Sequence, residues 1–219
     1  MTDYKQKYLK YKEKYIQLKN KFDNDDNNNN YIINLKKIYP STEFHNDNKE
    51  YGDNHTTYGE ITYDGIEALK THMKNYKYFM DIGSGNGKFP LYMAGDNNIL
   101  TSVGIELVEI RHNRAIELKN KLTEEFNNIT NKVKLINADF RNVDFKQVLN
   151  NNNQPVIIFI SNLCFSPEIN NELYKKIKAE LPSGSIIFSS KEINTLTKAQ
   201  SIPCPMSWSS SSSVFMLVL

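Results

Sequence analysis

Residues 79–88, Phe79-Met80-Asp81-Ile82-Gly83-Ser84-Gly85-Asn86-Gly87-Lys88, join a short apolar run to a glycine-rich turn, with an acid two residues ahead of the first glycine. Glycine at every second position lets a backbone take positive φ and approach a ligand closely. Residues 89–94 read as a helix, so amides at its start are expected to face an anion. Dinucleotide-binding turns are spaced G-x-G-x-x-G, whereas here Lys88 stands where the third glycine would fall. A glycine-rich loop without a ligand would share this composition. The next apolar run argues for a ligand: residues 101–105 form a β-branched strand ending in Glu106. That acid lies about 20 residues beyond the glycines, where a carboxylate can accept hydrogen bonds from both hydroxyls of a ribose.

Alternating strands and helices must position these groups. A helix is expected over 108–126, strands over 133–137 and 156–161, a helix over 167–181, a strand over 185–190 and a final strand over 214–219. The order predicts an α/β fold with a mostly parallel, doubly wound sheet flanked by helices. Ligands in such sheets sit beyond the carboxyl ends of the strands. That rule gathers Asp81 with the glycine turn, Glu106, Asp139-Phe140 and the segment from Ser161 to Phe165. Asp139 suits an adenine amino group and Phe140 the ring face; core packing is the plainer alternative for Phe140.

The 219 residues suit one α/β domain with appendages. Hydrophobic content of 39% with 24% charged residues describes a soluble chain with material for one core. Net charge is only +2, so any pull on nucleic acid must come from a local basic patch. With Cys164 and Cys204 alone and four histidines lacking ligand spacing, no metal site or disulfide scaffold is expected. Without an apolar run near 18 residues or a signal pattern, no membrane association is expected, and the chain reads as intracellular.

Ahead of the core, residues 1–22 read as a Lys-rich helical arm. Tyr4, Tyr8, Tyr11, Tyr15, Leu18 and Phe22 recur at spacings of four and three, with seven lysines on the other faces. Such an arm can contact nucleic-acid phosphates, or it can dimerise or fold back through its Tyr stripe. Residues 23–30, DNDDNNNN, read as a flexible linker. Residues 31–76 read as a small N-terminal cap carrying Tyr58-Gly59-Glu60, and residues 77–219 as the core.

Several motifs carry a narrower signal together. The D-x-G-x-G-x-G turn resembles motif I of class I methyltransferases, which bind S-adenosylmethionine. Tyr58-Gly59-Glu60, DIGSGNG at 81–87, Gly104-Ile105-Glu106, Asp139-Phe140, SNLCFSPEINNEL at 161–173, LPSGSIIFSSKEI at 181–193 and Met206-Ser207-Trp208-Ser209 resemble the disruptor-of-telomeric-silencing family. These are histone lysine methyltransferases without a SET domain. The resemblance implies a Rossmann-like class I methyltransferase fold, S-adenosylmethionine as cofactor, and a histone or nucleosome-like substrate met in the nucleus or wherever chromatin or viral DNA lies. It implies that Tyr58, Glu60 and Thr62 help close the cofactor pocket, that Asp81, Gly83, Gly85, Gly87 and Lys88 hold the methionine part, and that Glu106 holds the ribose. Asp139 and Phe140 would hold the adenine. Asn162, Phe165, Trp208 and Phe215 would line the channel by which a lysine reaches the methyl group.

The chain also departs from the family pattern. Ile61 stands where a hydroxyl-bearing residue follows YGE, with Thr62 next to it; Lys88 replaces a usual glutamine, Ser161 an asparagine and Phe215 a tyrosine. The 209–213 stretch is all serine, without basic or proline residues. Two other functions stay open on sequence. Asn162-Leu163-Cys164-Phe165 is similar to the N-P-P-F/Y motif of nucleic-acid exocyclic amine methyltransferases without its prolines, and a noncatalytic cofactor-binding module would keep the fold.

Overall fold

The structure, a computed structural model, describes residues 2–40, 59–193 and 199–219. Its centre is β1 (Tyr78–Ile82), whose five residues are all buried, as expected of a parallel strand covered on both faces. β2 (Thr101–Glu106) pairs parallel with one edge of β1, Ile82 opposite Ile105, and β3 (Val133–Asn137) continues outward with Asn137 opposite Glu106. On the other side, β4 (Ile157–Ile160) pairs with β1 and β5 (Ile186–Ser189) with β4, again in parallel. β6 (Gln200–Pro203) and β7 (Ser213–Val218) close the sheet antiparallel, giving the order β3-β2-β1-β4-β5-β7-β6. The chain leaves β1 towards β2 and β3 and later returns to its opposite edge as β4. The order therefore reverses between β1 and β4, where a crevice opens beyond the strand ends.

Side chains alternate across the pleat. Phe79, Phe159 and Phe188 enter one core with α1 (Thr2–Ile38), α2 (Tyr63–Lys70), α3 (Lys88–Ala94) and α4 (Glu109–Thr130). Met80, Ile158 and Ile187 enter the other with α5 (Phe145–Leu149) and α6 (Pro167–Glu180). α6 shows why these segments become helices. Ser166 caps it by accepting from the Ile169 amide, proline occupies the first turn, and Asn170, Leu173 and Ile177 supply its buried stripe. α4 runs past its expected end at 126 because Phe126 leaves helical geometry (φ −122°, ψ 42°) and the helix resumes to Thr130. β6 was not foreseen: of its four residues only Ile202 is buried, which leaves no alternating pattern to read.

The Asn/Asp tract, expected to be a flexible linker, lies inside α1 instead. These residues are poor helix formers, but the helix is anchored beyond them. Tyr31 and Leu35 are fully buried, the Tyr31 hydroxyl donates to the Leu91 carbonyl (2.8 Å), and its ring meets Phe126 edge-on at 5.5 Å. Within the tract Asp25 and Asn28 both bond to Asn97. Tertiary contacts outweigh local propensity here. Among the described side chains of the Tyr stripe, Tyr8, Tyr11, Tyr15 and Leu18 are all exposed and do not fold back.

Candidate functional site

The crevice between β1 and β4 is an open cleft lined by Gly59, Glu60, Ile61, Asp81, Gly83, Ser84, Gly85, Lys88, Phe89, Phe159 and Ser161. Gly83, Gly85 and Gly87 all take positive φ (81°, 53° and 78°), and a side chain at Gly87 would also stand 2.8 Å from the Ala115 methyl group. The turn's amides look inward: Gly83 and Ser84 both donate to the Ile105 carbonyl, Gly87 donates to Ser84, and Gly85 donates to a Glu106 oxygen at 2.7 Å. Of these donors, those of Gly83, Ser84 and Gly85 go to β2 and that of Gly87 stays within the turn. The other Glu106 oxygen accepts from the Val108 amide at 2.8 Å. A carboxylate offers about four acceptor sites, so Glu106 keeps capacity for hydroxyls.

Asp81 is 4% exposed, and among the described residues its Oδ1 has no hydrogen-bond partner. Burial, then the nearby Glu106 and Glu60 carboxylates, hold its pKa well above the usual carboxylate range. A buried acid with an open oxygen on a cleft wall fits a ligand's ammonium group.

Over this cleft lies the start of the cap. Glu60 accepts from the Tyr39 hydroxyl (2.5 Å) and pairs with the Lys88 ammonium (2.5 Å), which also donates to the Ile61 carbonyl (2.8 Å). Lys88 is 3% exposed and lies over the Tyr39 and Tyr63 rings. Tyr39 in turn accepts from the Asn86 amide of the glycine turn at 2.8 Å. On its other side the Glu60 backbone pairs with Ser207, amide to hydroxyl (2.9 Å) and carbonyl to amide (2.8 Å). That pairing sets Trp208 against Gly59 so closely that a Cβ there would lie 2.4 Å from an indole carbon. Trp208 thus packs on Gly59 of the cleft wall, 41% exposed, without being among the described lining residues itself. Thr62 caps α2, its hydroxyl accepting from Gly65 and donating to the Pro205 carbonyl, so it braces the cap and is not among the described cleft-lining residues. Tyr58 lies outside the described residues.

Further along the strand ends, both oxygens of Asp139 are engaged by Arg141, whose side-chain hydrogen bonds hold the Asp139 carboxyl below its usual range. Phe140 stacks near-parallel with Phe165, centroids 6.4 Å apart. The Asn162 side chain, fully buried, does not face the cleft: it accepts from the Lys191 amide (2.8 Å) and donates to Asn170 (2.7 Å) and the Lys191 carbonyl (3.2 Å). Its backbone carbonyl accepts from Phe165 at 3.2 Å. The side chain thus ties the ends of β4 and β5 together. Phe215 is half-buried on β7 opposite Ser189, at the same end of the sheet. Sequence reasoning missed Tyr39, which lies in a stretch without periodicity, and Ser207, which was visible only as part of a motif.

A family model described as histone methylation protein DOT1 matches residues 35–205. The chain belongs to this family. Within it, the H3 lysine-79 specific histone-lysine N-methyltransferase of Caenorhabditis elegans is 29% identical over 147 residues, covering 65% of this chain and 15% of that protein. The Drosophila melanogaster protein of the same name is 29% identical over 140 residues, covering 61% of this chain and 7% of its own length. The chain therefore spans a small part of these relatives. Among solved structures, an RNA methyltransferase from Salinibacter ruber in complex with S-adenosylhomocysteine superposes with a TM-score of 0.52 at 15% identity, covering 71% of this chain and 89% of that one. That likeness is one of fold, and it agrees with the Rossmann-like class I architecture expected from sequence. The family resemblance read from YGE, DIGSGNG and SNLCFSPE is the one the family match shows.

Proposed function

We propose that this DOT1-family chain is an S-adenosylmethionine-dependent methyltransferase acting on a lysine amine of a histone or histone-like partner. The observation that carries this reading is the cleft between β1 and β4, walled by Asp81 and tied through Glu60 and Ser207 to Trp208. Bound S-adenosylmethionine supplies a methyl group activated by a sulfonium. Asp81 takes the ammonium of its amino-acid end, Glu106 the ribose hydroxyls, and Asp139 with Phe140 the adenine. Trp208, Phe165 and Phe215 form the apolar approach for the lysine. A free lysine amine has a pKa of about 10.4, and an apolar channel favours the neutral form that attacks. No general base is needed beyond this; holding amine and methyl group in line supplies most of the rate.

The arm extends the reading to chromatin as the place of action. Residues 6–19 of α1 are exposed throughout, including Lys7, Lys10, Lys12, Lys14 and Lys19. This basic helix suits nucleic-acid phosphates beside the substrate, while its Tyr stripe suits a second copy of the chain. No helix among the described residues is long and apolar enough to cross a membrane.

Incubation with methyl-labelled S-adenosylmethionine and, in parallel, nucleosomes, free histones, RNA and DNA tests the substrate class. Label is expected in histone protein at lysine. Label in nucleic acid alone overturns the reading, and cofactor binding without transfer to any substrate identifies a noncatalytic module.

A further inference from the structure

The glycine turn is soft by composition. Gly83, Gly85 and Gly87 all hold positive φ, and glycine loses more backbone freedom on ordering than any other residue. A binding surface made from such a turn stays in place only where other groups hold it. On one side the backbone amides of Gly83, Ser84 and Gly85 tie it to β2. Asn86, between the second and third glycines and 1% exposed, ties the other side: its side-chain amide donates to the Tyr39 hydroxyl at 2.8 Å. A phenol has a single proton to give, and Tyr39 gives it to the Glu60 carboxylate at 2.5 Å, across 21 positions of chain. One oxygen thus joins the turn to the cap segment that forms the facing part of the cleft wall. Tyr39 is itself well fixed. Its amide donates to the Leu35 carbonyl at 2.9 Å, its carbonyl accepts from the Tyr63 hydroxyl at 2.6 Å, and its ring lies under the Lys88 ammonium at 5.6 Å. It is not among the described residues lining the cleft, so it acts there through Asn86 and Glu60.

We infer, resting on the reading of the cleft as an S-adenosylmethionine site, that Tyr39 is a positioning residue for the methyl donor, its hydroxyl holding the glycine turn and the cap in their binding arrangement before the ligand arrives. A surface ordered in advance spares the ligand the cost of ordering it. Because the Glu60 backbone also pairs with Ser207, the same hydroxyl steadies the turn that carries Trp208.

Tyr39→Phe removes the hydroxyl and keeps the ring, so calorimetric titration of the full chain with S-adenosylhomocysteine reads the oxygen alone. At a temperature where thermal melts show both proteins folded, the variant is expected to bind about tenfold more weakly, the range of a hydrogen bond to a charged group. Trp208 fluorescence is the second readout. The emission of the free variant is expected to be shifted from that of the wild type, and saturating S-adenosylhomocysteine is expected to restore it, since the ligand then supplies the order that the hydroxyl supplied. Adding Asn86→Ala to Tyr39→Phe is expected to cost no further affinity, because the turn has already lost that tie. A lower melting temperature with unchanged affinity makes Tyr39 a residue of stability alone and overturns the assignment. So do a fluorescence shift that the ligand leaves in place and a fully additive loss in the double variant. Equal affinity in wild type and Tyr39→Phe removes the role of Tyr39 while leaving the cofactor site standing. Failure of the wild type to bind S-adenosylhomocysteine or S-adenosylmethionine overturns the cofactor reading and this assignment with it.

Discussion

At Asp81 a carboxylate is buried beside two others, with one oxygen unpartnered among the described residues. Its folded-state pKa is raised above the unfolded value, so its contribution to stability is present at low pH and is lost as pH rises through the raised value. Asp81→Asn removes that cost. The ligand-free variant is expected to melt higher than the wild type near pH 8, roughly 2–4 °C for each kcal/mol relieved, with the gap closing on acidification. Binding of S-adenosylmethionine should move oppositely, weakening in the variant and, in the wild type, as pH falls and Asp81 protonates. Thermal melts across pH with and without ligand check both signs. Asn162 is a different case. Asn162→Ala takes a hydrogen-bond partner from the Lys191 amide and from the buried Asn170 side chain, at a cost of about 2 kcal/mol. The expected result is a lower melting temperature together with lost turnover; lost turnover at unchanged stability would instead return the side chain to the reacting amine.

The cap segment and the turn after β6 act as one element at the next scale. Ile61 bridges to Met206, the Thr62 amide donates to the Pro205 carbonyl, and Glu60 pairs with Ser207. At Gly59 the Trp208 ring occupies the space of a side chain. Gly59→Ala must displace the indole. Trp208 is the sole tryptophan, so intrinsic fluorescence reads this element directly. A shifted emission maximum with near-normal stability is expected, and an unchanged spectrum would show that the ring is not held there in solution.

For the molecule as a whole, α1 joins two regimes in one helix. Its carboxyl-terminal half is part of the body through Tyr31 and Leu35, and Tyr39 just beyond it reaches Glu60 and the glycine turn. Its amino-terminal part presents about 20 Å of exposed basic surface over residues 6–19. Removing residues 1–19 spares the hydrogen bonds of Asp25 and Asn28 with Asn97. The truncated chain is expected to keep its melting temperature but bind nucleosomes or DNA more weakly. The slope of log affinity against log salt should flatten by about 0.9 for each phosphate that the arm no longer neutralises. An unchanged slope, with loss of dimer in sedimentation, would assign the arm to self-association.

The sequence by itself determined the features that are local: an acid and three glycines in seven residues, carboxylates closing successive strands, and the alternation that dictates a parallel sheet. These follow from residue type and short-range period, which survive in a linear string. Tertiary structure decided how the side chains are engaged. It turned the amides of the glycine loop towards β2, gave both oxygens of Asp139 to Arg141, placed Asn162 between strand ends and drew the Asn/Asp tract into a helix. It also brought Tyr39, Glu60, Lys88 and Ser207 together from four separate parts of the chain. A polar side chain has several possible partners, and which one it takes depends on distance in space, for which spacing along the chain leaves no signal.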